Sequence, residues 1–315
     1  MTKKERVLAA LNQEPVDHVP VGFWFHFQGD EAVGEQCVQA HMNYYREVDA
    51  DLIKIMCDSY FPYPCEGIKT AADWKNLKPI KKSDAWVQEQ LYRARRIVEE
   101  AGPDRCVFYN VFVPFSYARF TYEDEMVMQH LKDDPASVMK GFEIMTEGLI
   151  EMMDAMVKEC GLTGIYMPVQ GGEVGRFAPG EYEKLITPSD MIMFNAANEI
   201  SPYTIMHCCG WAGKKNELKL WQDYPCKAVN WSVYVEDLPL VGGREFFGGK
   251  TCLGGFQNTK EGILYTGTKE EVQAFTKKTI ANFGKKGLIL GSDCTVPMDI
   301  PFERLQWVVD AAREV

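Results

Sequence analysis

The feature that most constrains this chain is an alternation of short apolar, β-rich runs with longer amphipathic segments, the sequence form of βα units around a parallel sheet. Eight such runs occur, at 19–27, 52–58, 106–112, 164–169, 203–209, 228–232, 251–257 and 288–295. Helix-like stretches at 87–101, 136–160, 179–200, 269–283 and 301–315 separate several of them. Their punctuation agrees: Thr268 stands three residues before Glu271, as in a capping box, and Gly161 and Gly284 follow helical segments as stops. Eight strands with intervening helices favour a closed (β/α)8 TIM barrel of the α/β class over a doubly wound open sheet. Residues 3–12, followed by Pro15 and Pro20, read as a short amino-terminal helical extension that closes one end of the barrel.

No low-complexity linker, charge block or internal repeat divides the sequence, so residues 1–315 read as a single barrel domain. No apolar run approaches the roughly 18 residues of a membrane span. The opening residues, with Lys3, Lys4, Glu5 and Arg6, lack the apolar core of a signal peptide, and the expected location is cytoplasmic. In that compartment ten cysteines are buried thiols with a minority of metal ligands, not a disulfide framework. A net charge of −11 with scattered Lys and Arg argues against a nucleic-acid surface.

A parallel barrel builds its active site at the carboxyl ends of its strands. Those ends carry His26 and Gln28; Cys57 and Asp58; Tyr109 and Asn110; Gln170 and Glu173; His207, Cys208 and Cys209; Asn230; Gln257 and Asn258; and Asp293 and Cys294. Alternate residues of a strand project to one face, so His207 and Cys209 can share a metal while Cys208 faces the helical shell. Imidazole and thiolate suit zinc, and Cys294 supplies a third ligand if its run ends across the same mouth. An open fourth position would make such a site catalytic. On spacing alone, buried cysteines beside a hydrogen-bonded core histidine are the commoner arrangement. His26 and Asp58 fit polar filling of the barrel top as well as substrate contact. Arg176, in the Gly-rich stretch 170–180, fits a surface connection as well as an anion contact. The candidate catalytic residues are thus His26, Asp58 and Asn230, and the candidate substrate-binding residues Tyr109, Gln170, Arg176 and Gln257.

Several segments together carry a resemblance over almost the whole chain. They are the opening Lys4-Glu5-Arg6-Val7-Leu8-Ala9-Ala10-Leu11 leading to Pro15-Val16-Asp17-His18-Val19-Pro20-Val21, the His207-Cys208-Cys209-Gly210 segment, and the stretches 248–258 and 287–297. The chain resembles the uroporphyrinogen decarboxylase superfamily, and within it the zinc-dependent methylcobamide:thiol methyltransferase branch. The resemblance implies a (β/α)8 barrel with zinc on His207, Cys209 and Cys294. It also implies a zinc-held thiolate, its pKa lowered from about 8.5, that attacks a methyl group on a cobalt corrinoid. Two departures matter. Decarboxylases hold porphyrinogen carboxylates with an arginine-bearing segment after the first strand, and residues 21–30 here contain no Arg. Relatives in the methyltransferase branch can place a carboxylate where this chain has Asn230 and Trp231. The substrate side is therefore a thiol-like acceptor or a methoxyl or methanol-type donor, as in O-demethylation. No Asp-x-His-x-x-Gly sequence occurs, so the methylcorrinoid is expected on a separate corrinoid protein. The competing readings are a zinc-free decarboxylase or lyase acting on a tetrapyrrole or other carboxylated substrate, and a non-catalytic binding barrel.

Overall fold

The computed structural model describes residues 1–210 and 213–315. Seven parallel strands follow one another in chain order around a curled sheet: β1 (Leu52–Ile55), β2 (Cys106–Asn110), β3 (Gly164–Val169), β4 (Ile205–Cys208), β5 (Ala228–Trp231), β6 (Thr251–Phe256) and β7 (Leu288–Ser292). Every strand is buried along its whole length, as a sheet covered by helices on the outside requires. The fold is α/β and TIM-barrel-like.

The expected first strand, 19–27, contributes only a single parallel bridge, Val21 to Leu290. It nevertheless spans the gap between β7 and β1. Gly22 N donates to Leu290 O and Leu290 N to Pro20 O, both at 2.8 Å, while Asp51 N and Leu52 N donate to Val21 O. The segment is not a regular strand because its other backbone groups have different partners. Pro20 has no N–H to give. Val21 N donates to the Asp51 carboxylate, Trp24 O accepts from Val296 N, and Phe27 N donates to Asp58.

Side chains alternate between two hydrophobic layers. Leu52, Met56, Phe108, Tyr166, Ile205, Ala228, Leu253 and Ile289 fill the interior with Trp24, whereas Ile53, Ile55, Val107, Met206 and Cys208 join the layer under the helices. The amino-terminal helix Lys3–Leu11 carries a capping box on Thr2 and inserts Val7, Ala10 and Leu11 into the interior cluster, closing the end opposite the strand termini. Arg6 pins that helix to Asp17 and Asp51. The capping box at Thr268 and the stop at Gly284 bound the helix Lys269–Phe283, as its sequence indicates. The stretch expected as one helix over 179–200 is two, Glu181–Leu185 and Thr187–Ile200. Pro188 is tolerated only in a first helical turn, so a new helix begins there. Among the described residues, no helix is long and apolar enough to cross a membrane.

Candidate metal centre

The end of β4 places His207 inward on the same side as Cys209, the residue just past the strand. Cys208, one residue out of phase, is fully buried in the outer layer, where burial pushes its thiol pKa well up. The turn after β7 brings Cys294 across the mouth. The ligand atoms of His207, Cys209 and Cys294 all lie within 4.8 Å of one another, and among the described residues they form the one such convergence of three or more His, Cys, Asp or Glu side chains.

Two further observations bear on what these residues fit. His207 is 3% exposed, yet among the described residues neither ring nitrogen has a hydrogen-bond partner of ordinary geometry, although the Cys294 sulfur lies close enough to interact with the ring. Two orphaned nitrogens on a buried imidazole are costly unless a ligand occupies one of them. The Cys294 thiol is held well below its ordinary pKa, by the Cys209 sulfur first and by His207 and Lys54 as well. An imidazole and two cysteine sulfurs, one of which favours the thiolate form, are the donor set of a zinc site with an open position. The residues present fit the metal.

Around this triad the candidate residues separate. His26 Nδ1 lies 2.6 Å from Asp58 Oδ1, and Asp58 Oδ2 accepts from Phe27 N at 2.7 Å. Both line a mouth cavity of about 480 Å3 with Phe61, Asn258, Thr295 and Met298. Gln170 is buried and donates from Nε2 to Cys209 Sγ at 3.6 Å, within reach for a sulfur acceptor. These three residues lie at the mouth: Gln170 touches Cys209, while His26 and Asp58 line a cavity that includes Thr295, the neighbour of Cys294, but none of the metal-type ligands themselves.

The other four do not. Asn230 sits in the interior with its side chain fully engaged: Oδ1 accepts from Tyr166 OH at 2.8 Å, and Nδ2 donates to Leu253 O and Ser292 O. It ties β3, β5, β6 and β7 together, with no hydrogen-bonding group left for a reaction. Tyr109 faces outward, its hydroxyl donating to Gln90 on the helix Ala85–Ala101, because Phe108 occupies the inward phase of β2. Gln257 donates to Thr259 on the exposed rim, and it is Asn258 that lines the cavity. Arg176 pairs with Asp124 and Glu173, which also bind Arg119, in a closed network of two cations and two carboxylates. A larger cavity of about 890 Å3, between 172–191 and 217–224, contains none of the metal-type ligands.

Sequence reasoning missed the floor of the mouth. Lys54, inward between Leu52 and Met56 on β1, is buried against the rings of Trp24 and Tyr166. Tyr166 in turn packs against His207, with ring centres 5.7 Å apart. The signal was available: a lone Lys in an apolar four-residue strand must either reach solvent or carry a function.

The uroporphyrinogen decarboxylase (URO-D) family model matches residues 2–315. The chain belongs to the uroporphyrinogen decarboxylase family. No curated relative matches the sequence. Among solved structures, a methyltransferase from Methanosarcina mazei is similar over 100% of this chain and 99% of its own, with a TM-score of 0.77 at 18% identity. A B12-independent methionine synthase from Shewanella sp. W3-18-1, in complex with selenomethionine, is similar over 95% of this chain and 94% of its own, with a TM-score of 0.56 at 14% identity. At these identities the likeness is one of fold.

Proposed function

We propose that this member of the uroporphyrinogen decarboxylase family is a zinc-dependent, cytoplasmic methyltransferase. It moves a methyl group between a corrinoid carried by a separate protein and a small partner, either a thiol-like acceptor or a methoxyl or methanol-type donor. The observation that carries this reading is the convergence of the His207, Cys209 and Cys294 ligand atoms within 4.8 Å of one another, on a buried imidazole whose nitrogens have no hydrogen-bond partner of ordinary geometry among the described residues. The fold shared with the Methanosarcina mazei methyltransferase supports it.

Zinc on these three residues would hold the thiol partner as a thiolate near neutral pH, or polarise the oxygen of a methoxyl or methanol-type one. The chain's own side chains supply the rest. Asp58, an acceptor while ionised, fixes the proton of His26 on Nδ1 and leaves Nε2 free to accept one. His26 therefore takes the proton that a thiol releases on binding and passes it to solvent at the open side of the cavity, where its side chain is 41% exposed. Gln170 donates to the Cys209 sulfur and fixes its direction. Phe61 packs edge-on against the His26 ring and lines the same cavity.

A carboxylate-rich ring as substrate would need cationic forks at the mouth. Arg119 and Arg176 are bound to Asp124 and Glu173, and Arg93 is buried behind the 57–60 turn. The test is a set of assays on the purified protein: methyl transfer from methylcobalamin and from candidate corrinoid proteins to thiols and tetrahydrofolate, transfer from methoxylated aromatics, and decarboxylation of uroporphyrinogen. Methyl transfer in at least one pairing, with no decarboxylation, is expected. Decarboxylation without any methyl transfer would return the chain to the lyase class.

A further inference from the structure

The cation on the floor of the mouth has no role in the proton path above. Lys54 is 3% exposed, and its Nζ lies 3.8 Å from the centre of the Tyr166 ring and 4.6 Å from that of Trp24. Among the described residues its Nζ makes no hydrogen bond and pairs with no carboxylate. An ammonium buried in this way is strongly unfavourable unless negative charge compensates it. Two aromatic faces return part of that cost. Burial lowers its pKa to about 8, with Cys294, Cys57, Cys209 and Asp58 acting in the other direction, so the ammonium keeps its proton near neutral pH.

The floor is also rigid. Tyr166 touches Lys54 on one side and the His207 ring on the other, and its hydroxyl is tied to Asn230, which is bonded in turn to Leu253 O and Ser292 O. The charge is fixed one ring away from a ligand. Two thiolates, a neutral imidazole and a divalent zinc would sum to zero, which leaves Lys54 on the floor and the Asp58 carboxylate, already bonded to His26 and to Phe27 N, as the charges beside them. In a low-dielectric pocket a positive charge fixed behind the His207 ring favours an anion in the open position. We propose that Lys54 is a specificity-determining residue that makes the mouth take an anionic group in preference to a neutral one of similar size. This inference rests on His207, Cys209 and Cys294 as the metal-holding set.

The test uses cobalt(II) in place of zinc, because its visible spectrum reports ligands entering the open position. Cobalt-loaded wild type, Lys54→Met and Lys54→Arg are titrated near neutral pH with thiocyanate, an anion, and with imidazole, which is neutral. Lys54→Met should weaken thiocyanate binding by about tenfold or more while imidazole changes by less than about twofold. Lys54→Arg, which keeps the charge, should restore most of the thiocyanate affinity. Unchanged thiocyanate affinity, or equal weakening of both probes, overturns the role of Lys54 alone. Wild-type protein that takes up no metal overturns the ligand set itself, and this inference with it. Circular dichroism verifies folding, and Lys54→Gln carries the comparison if the Met variant does not fold.

Discussion

Asp58 joins two parts of the mouth through one carboxylate, holding the His26 ring with one oxygen and the Phe27 backbone with the other. Replacing Asp58 with Asn offers the ring an N–H as well as a carbonyl, so the imidazole loses its fixed tautomer. Turnover should fall about 100-fold in Asp58→Asn and in His26→Gln, the range expected for losing one positioned proton acceptor. Because the two residues act as a unit, the double variant should be little worse than either single one; independent, multiplying losses would contradict a shared role. At this scale the sequence was readable where strand alternation decides direction. Period two placed His207 and Cys209 together and turned Cys208 away. The same rule would have turned Tyr109 outward had the phase of β2 been known, and that phase is set by packing against Leu52 and Tyr166 in the interior. Asn230 was not readable as a structural tie, because its partners come from three other strands.

Among the elements, all seven regular strands and the helices Lys3–Leu11, Ala85–Ala101, Pro135–Lys158, Lys269–Phe283 and Phe302–Arg313 coincide with runs that periodicity and caps mark out, whereas Gly34–Val48, Pro114–Thr121 and Asp124–Asp133 do not. The segment 19–27 does not become a regular strand, because side-chain acceptors such as Asp51 and Asp58 compete for its backbone and no local pattern reveals them. Helix packing gives a sharper test. A Cβ on Gly243, in the helix Leu240–Phe246, would lie 2.0 Å from the ring of Trp231, which is fully buried and bonded through Nε1 to Leu238 O. Gly243→Ala should cost about 1–3 kcal/mol in urea unfolding. Gly242→Ala, whose Cβ meets only Leu238 at 3.4 Å, should be neutral or stabilising by up to about 1 kcal/mol. Equal effects would mean that this helix does not seat on Trp231.

The helix Thr187–Ile200 carries a second test. Asp190 is wholly buried, accepts from the Tyr182 and Tyr224 hydroxyls, and burial raises its pKa from 3.8 to about 8. The folded protein thus holds a proton here that the unfolded chain releases. Its contribution is fully present below pH 3.8 and is lost as pH rises through about 8. Stability measured from pH 5 upward should fall more steeply in wild type than in Asp190→Asn, and identical slopes would show that Asp190 is ionised in the fold.

For the whole molecule, the barrel-like architecture was legible because eight βα-type runs leave few alternatives, and because an amino-terminal helix rich in apolar residues had an open end to cover. The mouth was legible only in part. Its candidate metal-holding residues lie at the end of β4 and just after β7, while Lys54 on β1 and rings from the 19–27 segment and β3 form its floor, a juxtaposition that exists only once the sheet curls shut. The site therefore depends on the closed sheet more than on any one strand. The most direct test of the metal centre is the zinc content of purified wild type, Cys208→Ser, Cys209→Ser and Cys294→Ser, measured by elemental analysis after growth with ample zinc, with circular dichroism on the same samples. Wild type and Cys208→Ser should each hold about one zinc per chain, and Cys209→Ser and Cys294→Ser should hold far less while remaining folded. Absence of zinc from wild type, or equal zinc in all four proteins, would contradict the assignment of His207, Cys209 and Cys294 as its ligands.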